Sequence, residues 1–322
     1  MAMQAPSGSF EDYLGQVAVR AEAEGVSRAT IDAVLPGLRY DHDIAALDRR
    51  FAPTPYDAPI PPFAPYKARH VDALKIRQGR AVYLAEIGHL SDIERETGVP
   101  GSIVVAIFGH ETNYGSITGS TDLPRALATL AYEGRRRDLF EGELIAVLKL
   151  IDRGIPRSVL KGSFAGAFGY PQFLPSVYLR LAKDGDGDGK AEIWSSKADA
   201  LASIANYFVN AGWERGKPWG VAVAVPSTLD RAVIANTETF DRCKRVFERH
   251  SRWKTMAEWR ALGILPLAGS WPEDDLEASL LEPDGPGETA YLLTRNYRAI
   301  LDYNCSNFYA LSVGLLADEI RR

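Results

Sequence analysis

Only two cysteines, Cys243 and Cys305, stand in 322 residues. That excludes a disulfide-rich scaffold and allows at most one bridge, in an oxidising compartment. No stretch reaches the ~18 consecutive apolar residues of a membrane-spanning helix. Positive charge is not in excess either: the formal net charge is −5, whereas a nucleic-acid binder needs a basic face to meet phosphates. An anionic polymer would have to be held by local groups, not by the field of the whole molecule. The first nine residues, Met1 to Ser9, have no basic n-region and no apolar h-region. They are not a signal peptide and look like the junction left when a leader is trimmed and a start codon added. Internal repeats are lacking. The rest is ordinary for a globular protein, 46% hydrophobic and 25% charged, with enough chain for two or three packed units.

Ser9 followed by Asp12 has the pattern of a capping box, and Phe10, Tyr13, Leu14 and Val17 fall on one helical face. Gly25-Val26-Ser27 breaks this helix, and Ser27 can cap a second one carrying Ile31, Val34 and Leu35. Six prolines in the thirteen residues from Pro53 to Pro65 exclude helix and sheet interior and predict an extended strap lying against the protein. From 66 to 217 the pattern is helical again, punctuated at Gly98-Val99-Pro100 and by a glycine-rich loop from Gly162 to Gly169. Gly220 to Pro226 then reads as a strand, a short helix carries Met256, Trp259 and Leu262, and a second strand lies near Tyr291. Asn307 to Ile320 is helical and apolar enough to rejoin the main core. The expected fold class is mainly α (α+β). It divides into an N-terminal helical region with its Pro-rich strap (1–65), a helical core (66–217), a small mixed or β insertion (218–296) and a C-terminal helix rejoining the core (297–322).

One carboxylate has unusual surroundings. Ile103 to Gly109 has no polar face, so as a helix it is hydrophobic all round and belongs inside a domain. Glu111 stands at its exit, where desolvation would raise its pKa and suit it to general acid work near neutral pH. The plainer alternative is a helix that surfaces at Glu111 and leaves the carboxylate wet.

A second signal is Asp184-Gly185-Asp186-Gly187-Asp188-Gly189. Carboxylates at positions 1, 3 and 5 with glycine at 6 make the front half of an EF-hand calcium loop, and Lys190 would add its backbone carbonyl at position 7. Position 12, usually a bidentate glutamate, is Ser195, so a later acid must close the loop. Asp199 is the best candidate, and Glu192 is a lesser one. A polar turn is the competing reading. Three carboxylates this close repel without a cation, and a flexible oxygen cage suits Ca²⁺ better than Mg²⁺, in a structural role.

Two further stretches are rich in amides and aromatic rings. Lys161 to Ser176 combines small residues with Gln172 and aromatics, and Tyr303 to Tyr309 places Asn304 and Tyr309 just before and at the start of a helix. Such surfaces suit neutral N-acetylated sugars, whose rings stack and whose hydroxyls bond amides.

The chain here closely resembles the lytic murein transglycosylase B family. The matching stretches, in the family's order, are Glu111-Thr112-x-x-Gly115, Gly162 to Phe173, the Asp184 loop ending in Trp194, Asp199 to Tyr207, and Tyr303-Asn304 with Tyr309. They span roughly residues 85–217 and 295–320. The resemblance implies a lysozyme-like helical core with an N-terminal helical domain, a small β-rich insertion and an EF-hand-like calcium loop. It also implies non-hydrolytic cleavage of peptidoglycan between N-acetylmuramic acid and N-acetylglucosamine, leaving a 1,6-anhydromuramoyl end. Glu111 sits at the position of the single glutamate that performs both proton transfers. Substrate-binding positions of the family map onto Ser163, Gln172, Phe173, Tyr207, Asn304 and Tyr309; for Phe173 and Tyr207, core packing is the alternative. Arg135 and Arg136 match an arginine pair that would bind muramoyl or peptide carboxylates, with a solvated charge run as the alternative. Tyr114 stands where the family often has another aromatic. His110 receives no role. No organic cofactor is implied.

A two-carboxylate glycosidase needs a second acid. Asp122, Asp138, Glu141 and Glu143 lie on polar stretches expected to be exposed, and none has the context of Glu111. The partners expected are peptidoglycan glycan strands and cell-wall remodelling complexes, for a monomer in the periplasm whose association with the outer membrane is left open. The rival functions are a hydrolytic muramidase and a non-catalytic peptidoglycan-binding scaffold.

Overall fold

The computed structural model describes residues 8–51, 55, 58–240 and 242–322. Residues 1–7, and Ala52, Pro53, Thr54, Tyr56 and Asp57 at the proline strap, lie outside them. The helices are α1 Phe10–Ala23, α2 Arg28–Val34, α3 His42–Arg50, α4 Ala64–His70, α5 Ala73–Ala85, α6 Ile87–Thr97, α7 Gly101–Thr112, α8 Leu123–Glu133, α9 Arg137–Asp152, α10 Pro175–Leu181, α11 Lys197–Asn210, α12 Lys244–Phe247, α13 Met256–Ala261, α14 Arg295–Tyr303 and α15 Asn307–Arg321. The strands are β1 Thr121–Asp122, β2 Lys161–Gly162, β3 Gly220–Ala224, β4 Lys254–Thr255, β5 Leu265–Pro266, β6 Glu277–Leu281 and β7 Ala290–Leu293. The fold is thus mainly helical with a small antiparallel sheet, as expected. The chain divides into two compact units, Met1–Thr54 with Glu111–Ser203, and Pro55–His110 with Ile204–Arg322.

In the first unit local chemistry sets the helix starts. Ser9 and Asp12 form the capping box of α1, whose Phe10, Tyr13, Leu14, Val17 and Ala21 are buried. Ser27 caps α2 through the amide of Thr30. Asp122 caps α8, accepting from the Arg125 amide, and also receives two nitrogens of Arg157 at 3.0 and 2.8 Å. Asp138 is exposed, as expected. Glu141 and Glu143 on α9 correct the sequence reading: they are only 3% and 5% exposed. Helix α9 packs against α8, α10 and α1, so even its polar positions turn inward and must find partners there. Glu141 accepts from the Tyr13 hydroxyl at 3.0 Å and pairs with Arg20. Glu143 accepts from the amide and hydroxyl of Ser176 at 2.9 and 2.6 Å.

The second unit holds the five-stranded sheet, ordered β4-β6-β7-β3-β5 and antiparallel throughout. Val221 pairs with Leu292, which pairs on its other side with Leu280. Trp259, fully buried, anchors the sheet core with Met256, Val223 and Ile264, and its indole N–H donates to the Ala278 carbonyl at 3.0 Å. Cys243 and Cys305 form a disulfide, their Cα atoms 5.9 Å apart. The proline strap needs one correction at its end: Pro65 lies in the first turn of α4. The first turn tolerates proline because its N–H would have no helical acceptor.

Candidate active site and metal loop

Helix α7 carries the acid. Ile103 to Phe108 are almost wholly buried, and Glu111 lies half-buried in the final turn. There the negative end of the helix dipole and the apolar segment behind it both act against negative charge. The chain then leaves the helix through three successive residues of positive φ, Asn113, Tyr114 and Gly115. For the two non-glycine residues this is a strained conformation of the kind that clusters at functional sites. Thr112 explains how the turn is held. Its buried hydroxyl accepts from the Gly115 amide at 3.1 Å and donates to the Tyr170 carbonyl at 3.3 Å. Sequence reasoning did not assign Thr112 a role, although its place in Glu-Thr-x-x-Gly was the available signal.

The same unit brings the glycine-rich loop beside this turn. A Cβ on Gly162 would lie 2.0 Å from the Ala167 carbonyl oxygen, so only glycine fits where the loop closes on itself. Ser163 accepts from the Ala167 amide through Oγ at 3.1 Å, and its own amide donates to the Ala167 carbonyl at 2.7 Å. Gln172, also at positive φ, donates from Nε2 to the carbonyls of Thr118 at 3.1 Å and Gly169 at 2.9 Å. No donor among the described residues reaches its Oε1, which leaves a fixed carbonyl able to accept from a ligand hydroxyl. Phe173 is buried and bridges to Phe168, which favours packing over direct contact.

Arg135 is drawn away from the solvent. Its Nε donates to Asp48 Oδ2 at 2.7 Å, and a second nitrogen pairs with Oδ1. Arg136 lies 3.9 Å from the same carboxylate and stacks over Phe140 at 4.5 Å. Asp48, buried on α3, was not singled out from sequence because its partner lies 87 residues away.

The acidic loop gathers as its spacing predicts. Oxygens of Asp184, Asp186 and Asp188 lie within 4.8 Å of one another. Asp184 accepts from the amides of Gly187 at 2.6 Å and Gly189 at 2.7 Å, which lowers its pKa. Asp186 accepts from the Ser196 hydroxyl at 3.0 Å. Asp199 is buried at the start of α11, with one oxygen taking the Gly185 amide at 2.8 Å and the other the Glu192 amide at 2.6 Å. Burial raises its pKa; the residue expected to close the loop thus takes two backbone amides and stands outside the group formed by Asp184, Asp186 and Asp188. The Lys190 amide donates to Asp188 at 2.8 Å. A hard, all-oxygen set of this kind fits Ca²⁺.

In the second unit Tyr207, on α11, donates its hydroxyl to the carbonyl and carboxylate of Asp302 at 2.9 and 3.0 Å. Asn304 is exposed at the C-cap of α14. Tyr309 is buried, its ring edge-on to His110 at 5.4 Å. His110 contacts the Ala106 carbonyl and the Ser312 hydroxyl, and burial holds its pKa down to about 3.

A family model described as "Transglycosylase SLT domain" matches residues 9–318. The membrane-bound lytic murein transglycosylase B of Escherichia coli is 31% identical over 308 residues, 92% of this chain and 79% of that protein. SltB3 from Pseudomonas aeruginosa, solved in complex with NAG-anhNAM-pentapeptide, superposes with a TM-score of 0.86 at 37% identity, covering 98% of this chain and 80% of that one. The Escherichia coli lytic transglycosylase Slt35, solved in complex with calcium, gives a TM-score of 0.77 at 28% identity, covering 99% and 96%. The chain belongs to the transglycosylase SLT domain family.

Proposed function

We infer that the chain cleaves the glycosidic bond between N-acetylmuramic acid and N-acetylglucosamine with Glu111 as its single acid and base. It is a lytic murein transglycosylase that acts on peptidoglycan. Glu111 first protonates the glycosidic oxygen. The resulting carboxylate then takes the proton of the muramoyl C6 hydroxyl as that oxygen attacks C1, leaving a 1,6-anhydromuramoyl end and a glutamic acid ready for the next cycle. No water is consumed. Positive charge at C1 is offset by the substrate's own N-acetyl group, the substrate-assisted exception to the two-carboxylate rule.

One observation carries this reading: of the four acids weighed as a second catalytic carboxylate, Asp138 is exposed and the other three are occupied elsewhere. Asp122 caps α8 and holds Arg157, Glu141 holds Tyr13 and Arg20, and Glu143 holds Ser176. Within the first unit Gln172 and Ser163 offer fixed polar atoms to a sugar, with Tyr114 as a further contact; Tyr207, Asn304 and Tyr309 are the sugar contacts proposed for the second unit. Asp184, Asp186 and Asp188 would hold Ca²⁺ with the Lys190 carbonyl, and the ion would cross-link the loop without entering the reaction. No helix among the described residues is long and apolar enough to cross a membrane, and the envelope-facing periplasm is the compartment that holds the substrate. The test is the mass of the products from digested sacculi: anhydro ends support the reading, and reducing muramic ends alone reject it.

A further inference from the structure

Arg298 projects from α14 of the second unit into a box of three aromatic rings. Its guanidinium carbon lies 4.0 Å from the ring centre of Phe247, 5.3 Å from that of Trp253 and 5.6 Å from that of Phe240. Phe240 and Phe247 lean together at 4.8 Å. The arginine and all three rings are half-buried. Arg295, one turn earlier, lies over the same tryptophan at 4.8 Å and donates to the Glu277 carboxylate at 3.1 Å. Arg298 has no such acceptor: among the described residues no hydrogen bond or ion pair meets its five N–H groups, and the Glu238 carboxylate acts on it only through space. The nearby Asp302, one turn further along α14, is already taken by Arg242 at 3.2 Å and by the Tyr207 hydroxyl.

Rings cover the faces of a guanidinium and strip it of water while leaving the donor edge open. A charge so desolvated gains more from a bidentate anion than an exposed one does. The segment beneath it reinforces the sign. From Glu238 to Lys254 there are six Lys or Arg against three acids, Glu238, Asp241 and Glu248, a net positive segment in a chain whose net charge is −5. One helical turn, about 5.4 Å, separates Arg298 from the residue that anchors Tyr207, a proposed sugar contact.

We propose that Arg298 and its aromatic box form a carboxylate-binding site for the peptide attached to the glycan strand. This rests on the peptidoglycan reading above and extends it. The sugar contacts read the glycan, and Arg298 reads the acidic peptide, so strands that still bear peptides bind more tightly than bare ones.

The experiment measures strand binding by the full chain carrying Glu111→Gln, so that substrate persists during the measurement. Three soluble strands are compared: peptide-bearing, peptide-stripped, and peptide-bearing with the carboxylates amidated. The expected result is about tenfold tighter binding of the first than of the other two. Adding Arg298→Gln abolishes that difference, and adding Arg298→Lys, which keeps charge but loses the fork, restores part of it. Equal binding of amidated and free-acid strands by the Arg298 chain overturns the proposal without any need for the variants, even if these fold poorly. Retention of the tenfold preference by folded Arg298→Gln overturns it as well. If Glu111→Gln still cleaves the strands, the catalytic reading fails separately while the binding comparison stands.

Discussion

Arg135 grips Asp48 with two nitrogens, one of them 2.7 Å from Oδ2, and the aspartate is only 3% exposed. Removing the arginine leaves a buried carboxylate with only the more distant Arg136 at 3.9 Å. Arg135→Leu should therefore cost about 3 kcal/mol of folding stability. Asp48→Leu combined with Arg135→Leu should recover most of that loss, because the uncompensated charge is gone. Urea unfolding of the two single variants and the double variant checks this. A stable Arg135→Leu with weakened binding of peptide-bearing strands would instead assign the arginine to the substrate.

The acidic loop predicts a metal-dependent melting curve. EDTA should lower the Tm by a few degrees, and excess Ca²⁺ should restore it where Mg²⁺ does not, since a bound ion stabilises only the folded state. Asp186→Asn should blunt the response. Identical melting curves with EDTA and with Ca²⁺ would reduce the loop to a polar turn.

Two buried histidines predict acid sensitivity. His110 and His250 are both held to about 3 by burial, against about 6.5 in an unfolded chain. His250 is enclosed between Ser279 at 3.2 Å and the Asn307 side chain at 2.8 Å. Between those pH values the unfolded chain binds the extra protons. Stability is therefore full above about pH 6.5 and falls as pH drops, by about 1.4 kcal/mol per pH unit for each histidine. Urea midpoints from pH 7 to pH 4.5 should show this slope, and His250→Gln should roughly halve it. A flat profile across that range would contradict the assignment.

What was legible in the sequence was local. The capping box at Ser9, the apolar run into Glu111 and the alternation of aspartates after Lys183 each lie within one turn or loop, where spacing alone fixes which side chains meet. Features joined across the chain were not legible. Glu141 and Glu143 read as exposed because their neighbours are polar, and only the packing of α9 against other helices turns them inward. Asp48 and Arg135 are 87 residues apart, and the box around Arg298 joins α14 to a separate segment, residues 240–253. Thr112 lay in plain view, but its role depends on Tyr170, 58 residues on.

The most direct measurement is product analysis of sacculi digested by the wild-type chain and by Glu111→Gln, with folding checked by Tm. The wild type should release muropeptides ending in 1,6-anhydromuramic acid, each lighter by one water than the hydrolysed form. Glu111→Gln should keep its Tm and its binding to sacculi while losing activity by about 10³-fold or more, in the upper range for a general acid–base residue. Reducing ends from the wild type, or undiminished anhydro product from Glu111→Gln, would contradict a single carboxylate doing both proton transfers.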